Sequence, residues 1–213
     1  MLTNMEQFGS DYNEILAEAQ ALGYAEKDPT ADVEGHDSCR KIAILTSLIS
    51  GKTVDFNDIP TEGISKISST DFKYAKEMGC SIKLVARSVK EGDTYSCRVA
   101  PFMIKPEQML YHVAGVMNAV SVRGNMLGES MYYGAGAGAL PTASAVVGDM
   151  VFLARNTNRQ VKIGWEAEKL TLANPLEQRY RFFVRTSALQ SNSENEFGNV
   201  EYASLDLDNE TGF

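Results

Sequence analysis

Apolar residues recur at three- and four-residue steps in two stretches of the first fifty residues, which predicts helices there. The first stretch spans 5–22 and meets Gly23, a residue that commonly ends a helix. The second begins at Asp37, presents one broad apolar face and stops at Ser50-Gly51. A third and strongly apolar helix is predicted over 142–155, with Pro141 as its first residue.

Alternating or continuous apolar runs predict strands between these helices and after them. The longer runs are 81–89, 94–104, 116–123 and 129–133, and the shorter ones are 54–59 and 180–186. The turn formers Glu91-Gly92-Asp93 indicate a hairpin between the first two long strands. Helices followed by antiparallel strand pairs and a further helix predict an α+β fold, in which an antiparallel or mixed sheet carries helices on one face.

Composition and charge exclude several classes of protein. The chain has 213 residues, 44% of them hydrophobic, which is enough for a real core. With 20 basic and 28 acidic residues its net charge is −8, so we expect no nucleic-acid partner. No apolar run approaches the roughly 18 residues of a membrane span, and residues 1–6 do not resemble a signal peptide. We therefore expect a cytoplasmic protein without a membrane segment.

The cysteine and histidine content points the same way. Three widely spaced cysteines suit a reducing compartment better than a disulfide framework. Two histidines add little to them as metal ligands, and we predict no metal site.

The first candidate for chemistry is an acidic run between the two N-terminal helices. Sixteen residues of this run contain five acids and end at a lysine: Glu26, Asp28, Asp32, Glu34, Asp37 and Lys41. Asp37 and Lys41 are four residues apart on one helix face. Such acids suit the ammonium group of an amino acid, and a lysine among them suits proton exchange with a hydroxyl group. The alternative is a solvated loop with an ordinary surface ion pair.

The second candidate is a glycine run before the third helix. Gly134, Gly136 and Gly138 would let a ligand approach the backbone closely, and a helix N-terminus favours anionic groups. The run is not a G-x-G-x-x-G motif and no P-loop lysine follows it. A tight strand-to-helix crossing is the alternative.

Taken together, the two runs resemble the substrate domain of homoserine dehydrogenases. The first run supplies these matches: Gly23-Tyr24-Ala25-Glu26, Asp28-Pro29-Thr30, Asp32-Val33-Glu34-Gly35, Asp37, Lys41 and Ile44-Leu45. Later matches are Glu62-Gly63-Ile64, Ile82-Lys83-Leu84, Asn118-Ala119-Val120, and the glycine run with Pro141-Thr142-Ala143-Ser144 and Asp149. Many matches in one order are more specific than either run alone, and they favour the functional interpretation of both.

The resemblance implies an activity and a role for each residue. The family interconverts L-homoserine and L-aspartate semialdehyde with NAD or NADP, in threonine and methionine biosynthesis. By position, Lys41 resembles the catalytic lysine, Glu26 and Asp37 resemble the acids that hold the substrate, and Asp32 resembles an acid of the same pocket. The glycine run resembles a loop on the cofactor side, and the sheet formed by strands such as 81–89 and 94–104 resembles one that pairs across the two-fold axis of a homodimer.

The resemblance also implies a division of the chain. Residues 1–155 resemble the substrate and catalytic domain, without the family's N-terminal Rossmann domain and therefore without most of the cofactor site. Residues 156–213 are interpreted as a linker and a truncated or divergent regulatory-like segment with an acidic tail. In that segment 179–186 resembles the first strand of an ACT domain, and Ser187-Ala188-Leu189 replaces the family's next turn.

We expect such a chain to be inactive alone, and either cloning or nature would account for its length. The competing hypothesis is a non-catalytic amino-acid-binding or oligomerisation module. Lys41 argues against it, because a simple ammonium clamp gains nothing from a second cation.

Overall fold

A computed structural model describes residues 1–21, 23, 26–157, 162–186, 194, 196–203, 205 and 211–212. Within these residues the helices are α1 (Leu2–Phe8), α2 (Tyr12–Ala21), α3 (Thr30–Val33), α4 (His36–Ser50), α5 (Ser69–Glu77) and α6 (Ala139–Arg155). The strands are β1 (Lys52–Thr53), β2 (Ser81–Glu91), β3 (Thr94–Ile104), β4 (Met117–Gly124), β5 (Gly128–Ala135), β6 (Glu166–Lys169), β7 (Arg185–Thr186) and β8 (Thr211–Gly212). Short 3-10 turns lie at Phe56–Asp58, Met109–His112 and Pro175–Glu177.

The strands pair locally, and the predicted α+β class is confirmed. β2 and β3 form an antiparallel hairpin whose register runs from Ser81 opposite Ile104 to Glu91 opposite Thr94. β4 and β5 form a second antiparallel hairpin. β1 pairs with β6 in parallel, and β7 pairs with β8 antiparallel. The two long hairpins agree with the strand runs predicted from the sequence.

Within the described residues, two apolar clusters form the core, and both include side chains of the β2–β3 hairpin. The first joins the inner face of α4 to β3 and contains Cys39, Ala43, Val54, Ile59, Tyr95, Cys97, Val99 and Leu170. The second lies under α1, α2 and α5 and contains Met5, Ile15, Phe72, Ala75, Cys80 and Ile82. The β2–β3 hairpin therefore packs against α4 through the first cluster and against α1, α2 and α5 through the second.

Two predicted elements differ from the structure for local reasons. The single helix predicted over 5–22 is broken at Gly9, whose φ of 66° is left-handed and whose N–H bonds back to the Met5 carbonyl. The strand predicted over 54–59 is a 3-10 turn, because the Asp55 side chain accepts the N–H of Asn57 at 3.0 Å.

Two other elements begin or end elsewhere than predicted. Helix α6 starts at Ala139 rather than 142, so Pro141 is the third helical residue rather than the first. Only Arg185 and Thr186 of the predicted strand 180–186 are in a strand. Residues 187–189, which stand where the family has a turn, lie outside the described residues.

Residues 180–186 lie against α5. Phe183 contacts Tyr74 with ring centroids 5.6 Å apart, and Arg185 Nε lies 3.7 Å from Asp71 Oδ1. Tyr74 is fully buried, and within the described chain its hydroxyl has no hydrogen-bond partner.

The β4–β5 hairpin and α6 leave most of their apolar side chains uncovered. Helix α6 buries none of its residues, although Leu140 is 83%, Met150 63% and Leu153 63% exposed. Among the described residues no helix is long and apolar enough to cross a membrane.

Candidate functional site

The predicted acid–lysine pair lies on the first two turns of α4. Gly35 caps the helix with a φ of 76°, and Asp37 lies in the first turn, where the helix dipole favours a negative charge. Lys41 follows on the same face, with its Nζ 2.6 Å from Asp37 Oδ2. The Lys41 side chain is 69% exposed and the Asp37 side chain is 44% exposed, so the pair is accessible to a ligand from solvent.

The opposite face of α4 fixes the direction of this pair. Cys39 and Ala43 are 4% and 5% exposed and belong to the first core cluster. The Cys39 thiol also donates a hydrogen bond to the Phe56 carbonyl oxygen, with Sγ 3.3 Å from that oxygen. Residues two positions apart on a helix point to opposite sides. Burial of Cys39 and Ala43 therefore turns Asp37 and Lys41 outward.

Asp32 lies on the short helix α3, which packs directly against α4. The turn before α3 is held by Asp28, whose Oδ1 accepts the Thr30 hydroxyl at 2.6 Å and the Thr30 N–H at 3.1 Å. These two hydrogen bonds, the one from the hydroxyl foremost, lower the pKa of Asp28. Asp28 therefore remains an acceptor at neutral pH and starts the helix that carries Asp32.

Glu26 lies exposed in the loop between α2 and α3. The loop is tied to α2 because the Gln20 side-chain amide donates to the Glu26 carbonyl at 3.0 Å. Within the described residues no hydrogen bond or ion pair joins Glu26 or Asp32 to Lys41. The structure thus brings Asp37 and Lys41 into contact, with Asp32 on the adjoining helix and Glu26 on the preceding loop.

A further acid, Glu34, lies at the joint between α3 and α4, and the sequence pattern alone indicates no role for it. Its side chain is half-buried, and its charge reaches Tyr12 of α2. Burial first, and then the charge of Glu34, raises the pKa of Tyr12. The sequence places Glu34 in the acidic run, but its proximity to Tyr12 joins residues 22 positions apart, which no local pattern indicates.

The glycine run forms the crossing from β5 to α6. Gly136 N–H bonds to the Val116 carbonyl at 3.4 Å, and a Cβ on Gly136 would lie 1.9 Å from Asn118 Nδ2. Gly138 caps α6 with a φ of 116°. A Cβ on Gly134 would meet nothing within 4 Å. The tight crossing explains why glycine is needed at positions 136 and 138. It does not explain Gly134, which lies beside open space.

The described part of the chain contains no group of three His, Cys, Asp or Glu side chains that could hold a metal ion. The candidate site itself consists of the carboxylates of Glu26, Asp32 and Asp37 and the amine of Lys41.

Comparison with known proteins identifies the family. The family model described as homoserine dehydrogenase matches residues 1–151. The homoserine dehydrogenase of Neisseria gonorrhoeae is 51% identical over 155 residues, which are 73% of this chain and 36% of that protein. The chain therefore spans about a third of the length of this curated relative.

Solved structures give the same result. The Staphylococcus aureus homoserine dehydrogenase at pH 6.0 aligns with a TM-score of 0.77 and 31% identity, over 99% of this chain and 55% of that one. A hyperthermophilic archaeal homoserine dehydrogenase in complex with NADPH aligns with a TM-score of 0.55 and 28% identity, over 76% and 45%. On the family match and these likenesses, the chain belongs to the homoserine dehydrogenase family.

Proposed function

We propose that this chain supplies the substrate-binding and catalytic part of a homoserine dehydrogenase, which interconverts L-homoserine and L-aspartate semialdehyde. The observation that carries the proposal is the exposed Asp37–Lys41 pair at 2.6 Å, inside the stretch that matches the family model. The pair lies on the exposed face of α4, and the opposite face of that helix packs in the core.

Lys41 is proposed as the group that moves the proton. In the direction of oxidation the carbinol carbon loses a hydride while its oxygen loses a proton, and an uncharged Lys41 amine takes that proton. In the reverse direction the ammonium form returns it to the carbonyl oxygen. Asp37 and Glu26 hold the substrate ammonium, and Asp32 adds negative charge to the same pocket.

A bound NAD or NADP supplies the hydride acceptor or donor for this reaction. The glycine run fits a contact with such a group, because Gly134 borders open space. The first N–H groups of α6 have no acceptor inside the helix and favour an anionic partner. We propose Gly134, Gly136 and Gly138 as this chain's contribution to a cofactor site that lies mostly in a nucleotide-binding part. The archaeal relative with NADPH supports this class of cofactor.

The apolar surface of α6 supports a covering partner. Its exposed side chains are Leu140, Val146, Val147, Met150, Val151, Phe152 and Leu153. A surface of this kind ordinarily marks an interface. We propose residues 1–155 as one domain whose α6 packs on the nucleotide-binding part, and 156–213 as a linker with a regulatory-like segment. The free thiols of Cys39, Cys80 and Cys97 agree with a cytoplasmic location.

A homodimer is the second part of the proposed assembly. The resemblance implies pairing through strands 81–89 and 94–104, but β2 and β3 are mostly buried or half-buried. The exposed apolar face lies on the β4–β5 hairpin, and we propose that hairpin as the dimer surface. Val120 lies opposite Tyr132 and shares a face with Val122, and all three are at least 43% exposed. A second copy would cover this apolar stripe. Val122→Asp should therefore shift sedimentation towards the monomer, whereas Met126→Asp, at the exposed turn outside the stripe, should not. A monomeric unmodified chain at micromolar concentration would contradict the dimer.

The activity is tested by binding and by turnover. L-homoserine added to the isotope-labelled chain should shift the backbone amide resonances of Asp32, Asp37 and Lys41. The chain fused to the nucleotide-binding part of the Neisseria enzyme should reduce NAD or NADP with homoserine, and Lys41→Ala in that fusion should lower kcat by roughly 10²- to 10⁴-fold. Lys52→Ala, which breaks the exposed Lys52–Glu168 pair at 2.7 Å, is the matched control.

The outcomes are distinct. Full activity in the Lys41→Ala fusion would remove Lys41 from the catalytic role. Homoserine binding without turnover in an intact fusion would instead favour a non-catalytic binding module.

A further inference from the structure

A short extended segment, residues 60–64, lies between β3 and the joint that connects α3 to α4. On one side, Val99 of β3 donates its N–H to the Pro60 carbonyl at 2.9 Å and accepts the Glu62 N–H at 2.8 Å. On the other side, the Ile64 N–H bonds to the Val33 carbonyl at 2.7 Å. The segment therefore connects the central hairpin to the end of α3.

Gly63 is the point of closest approach in this segment. A Cβ built there would lie 2.3 Å from the Val33 oxygen, 2.4 Å from Glu34 Cα and 2.7 Å from Glu34 Oε2. The first two atoms belong to the backbone, so no change of side-chain rotamer makes room for a methyl group. Gly63 does not have a positive φ. Its glycine is required by packing rather than by backbone conformation.

We infer that Gly63 is a positioning residue of the substrate site, which sets where the Val33–Glu34–Gly35 joint lies. This inference rests on the proposed function of the acid–lysine pair. The joint connects Asp32, at the end of α3, to Asp37 and Lys41, at the start of α4. Its placement therefore decides the relative position of the acids on the two helices.

The surroundings leave the joint little freedom to yield elsewhere. Gly35 lies close to Val99, because a Cβ built at Gly35 would lie only 3.1 Å from Val99 Cγ1. Val99 is fully buried and is the residue to which the 60–64 segment is hydrogen-bonded. A methyl group on Gly63 can thus move neither its own segment back nor Gly35 forward without disturbing Val99. The displacement must pass to Val33 and Glu34, and through them to the site.

The test compares two glycine-to-alanine variants of the full chain. Gly63→Ala should weaken L-homoserine binding, measured by amide titration, by roughly ten- to a hundredfold, as expected for a displacement on the order of 1 Å. Gly124→Ala is the matched control, because Gly124 also lacks a positive φ and a Cβ there meets nothing within 4 Å. The Gly63→Ala spectrum should also show the amides of 32–41 displaced, with those of β4 and β5 unchanged. A folded Gly63→Ala chain with unchanged affinity would overturn the inference.

A second measurement needs neither a variant nor a ligand. If the 60–64 segment fixes the joint, the Ile64 amide should exchange with solvent no faster than the Cys39 amide, which closes the first turn of α4 on the Gly35 carbonyl at 2.9 Å. Exchange at Ile64 about tenfold faster than at Cys39 would show that the joint holds without the segment and would refute the inference. If Gly63→Ala does not fold, this comparison of exchange rates still tests whether the 60–64 segment holds the joint between α3 and α4. If the unmodified chain fails to bind homoserine, the proposed function loses its support, while the exchange comparison still tests Gly63.

Discussion

Replacing Lys41 with alanine should leave the stability of the chain almost unchanged. The Asp37–Lys41 pair is short, at 2.6 Å, but the Asp37 side chain is 44% exposed and the Lys41 side chain is 69% exposed. Exposed pairs four residues apart on a helix contribute only about 0.3–0.5 kcal/mol, because solvent screens them and two long side chains must be ordered. Alanine returns a few tenths of a kcal/mol of helix propensity at the same position. We therefore expect the free energy of unfolding to change by less than about 0.5 kcal/mol.

Urea unfolding followed by circular dichroism measures this change through the shift of the midpoint at constant slope. Val99→Ala is the positive control, because Val99 is fully buried and the variant removes two methylene equivalents from the core. At about 0.8 kcal/mol each, with a cavity left behind, the loss should be about 2 kcal/mol. The control shows that the assay detects a core change of that size in this fold.

A loss of more than about 1.5 kcal/mol in Lys41→Ala would refute the reasoning. It would mean that Lys41 makes contacts beyond the exposed pair and that any effect on catalysis includes misfolding. A neutral result makes the kinetic test clean, since a fall in kcat could then be assigned to the lost amine.

Two further predictions concern stability away from the site. Lys169 bonds to Asp58 at 2.8 Å and Asp55 at 3.2 Å, and hydrogen bonds to these carboxylates, Asp58 foremost, raise the pKa of Lys169 above its ordinary 10.5. This contribution is complete below pH 10.5 and is lost as the pH rises through the raised pKa. Lys169→Met should therefore unfold at a lower temperature than the unmodified chain at pH 7, with the difference vanishing at higher pH; an equal difference throughout would contradict it. Tyr74→Phe should stabilise the chain by about 1 kcal/mol in urea unfolding, because it removes a buried hydroxyl with no partner in the described structure. Thr46→Val, which removes a buried hydroxyl that does have a partner, should not stabilise it.

The elements that could be predicted from the sequence are those whose local signals agree. The β2–β3 hairpin combines long apolar runs with a turn centred on Gly92, and it appears as predicted. Helix α4 combines a broad apolar face with a stop at Gly51, and only its first residue differs. The pairing of Asp37 with Lys41 follows from helical spacing alone and is present at 2.6 Å.

The elements that could not be predicted depend on competition between local and distant forces. The apolar spacing continues across Gly9, so nothing in the period indicates that its left-handed turn divides the helix. Asp55 offers its own side chain to the backbone, and this overrides a sequence that otherwise suits a strand. Gly63 could be recognised as part of a family match, but its contact with Val33 joins residues thirty positions apart and is visible only in three dimensions.

The fold and the candidate site are held by different parts of the molecule. The core clusters bury one face of α4, and the 60–64 segment fixes the joint before it, so the site residues are positioned without contributing much to stability. Their side chains remain exposed, whereas proton transfer from a bound substrate is favoured in a dry, closed site. Directly after the glycine run, the chain forms α6, a helix whose apolar side chains are exposed. On the proposed function, a partner that covers α6 would also be in a position to complete the cofactor side of the site.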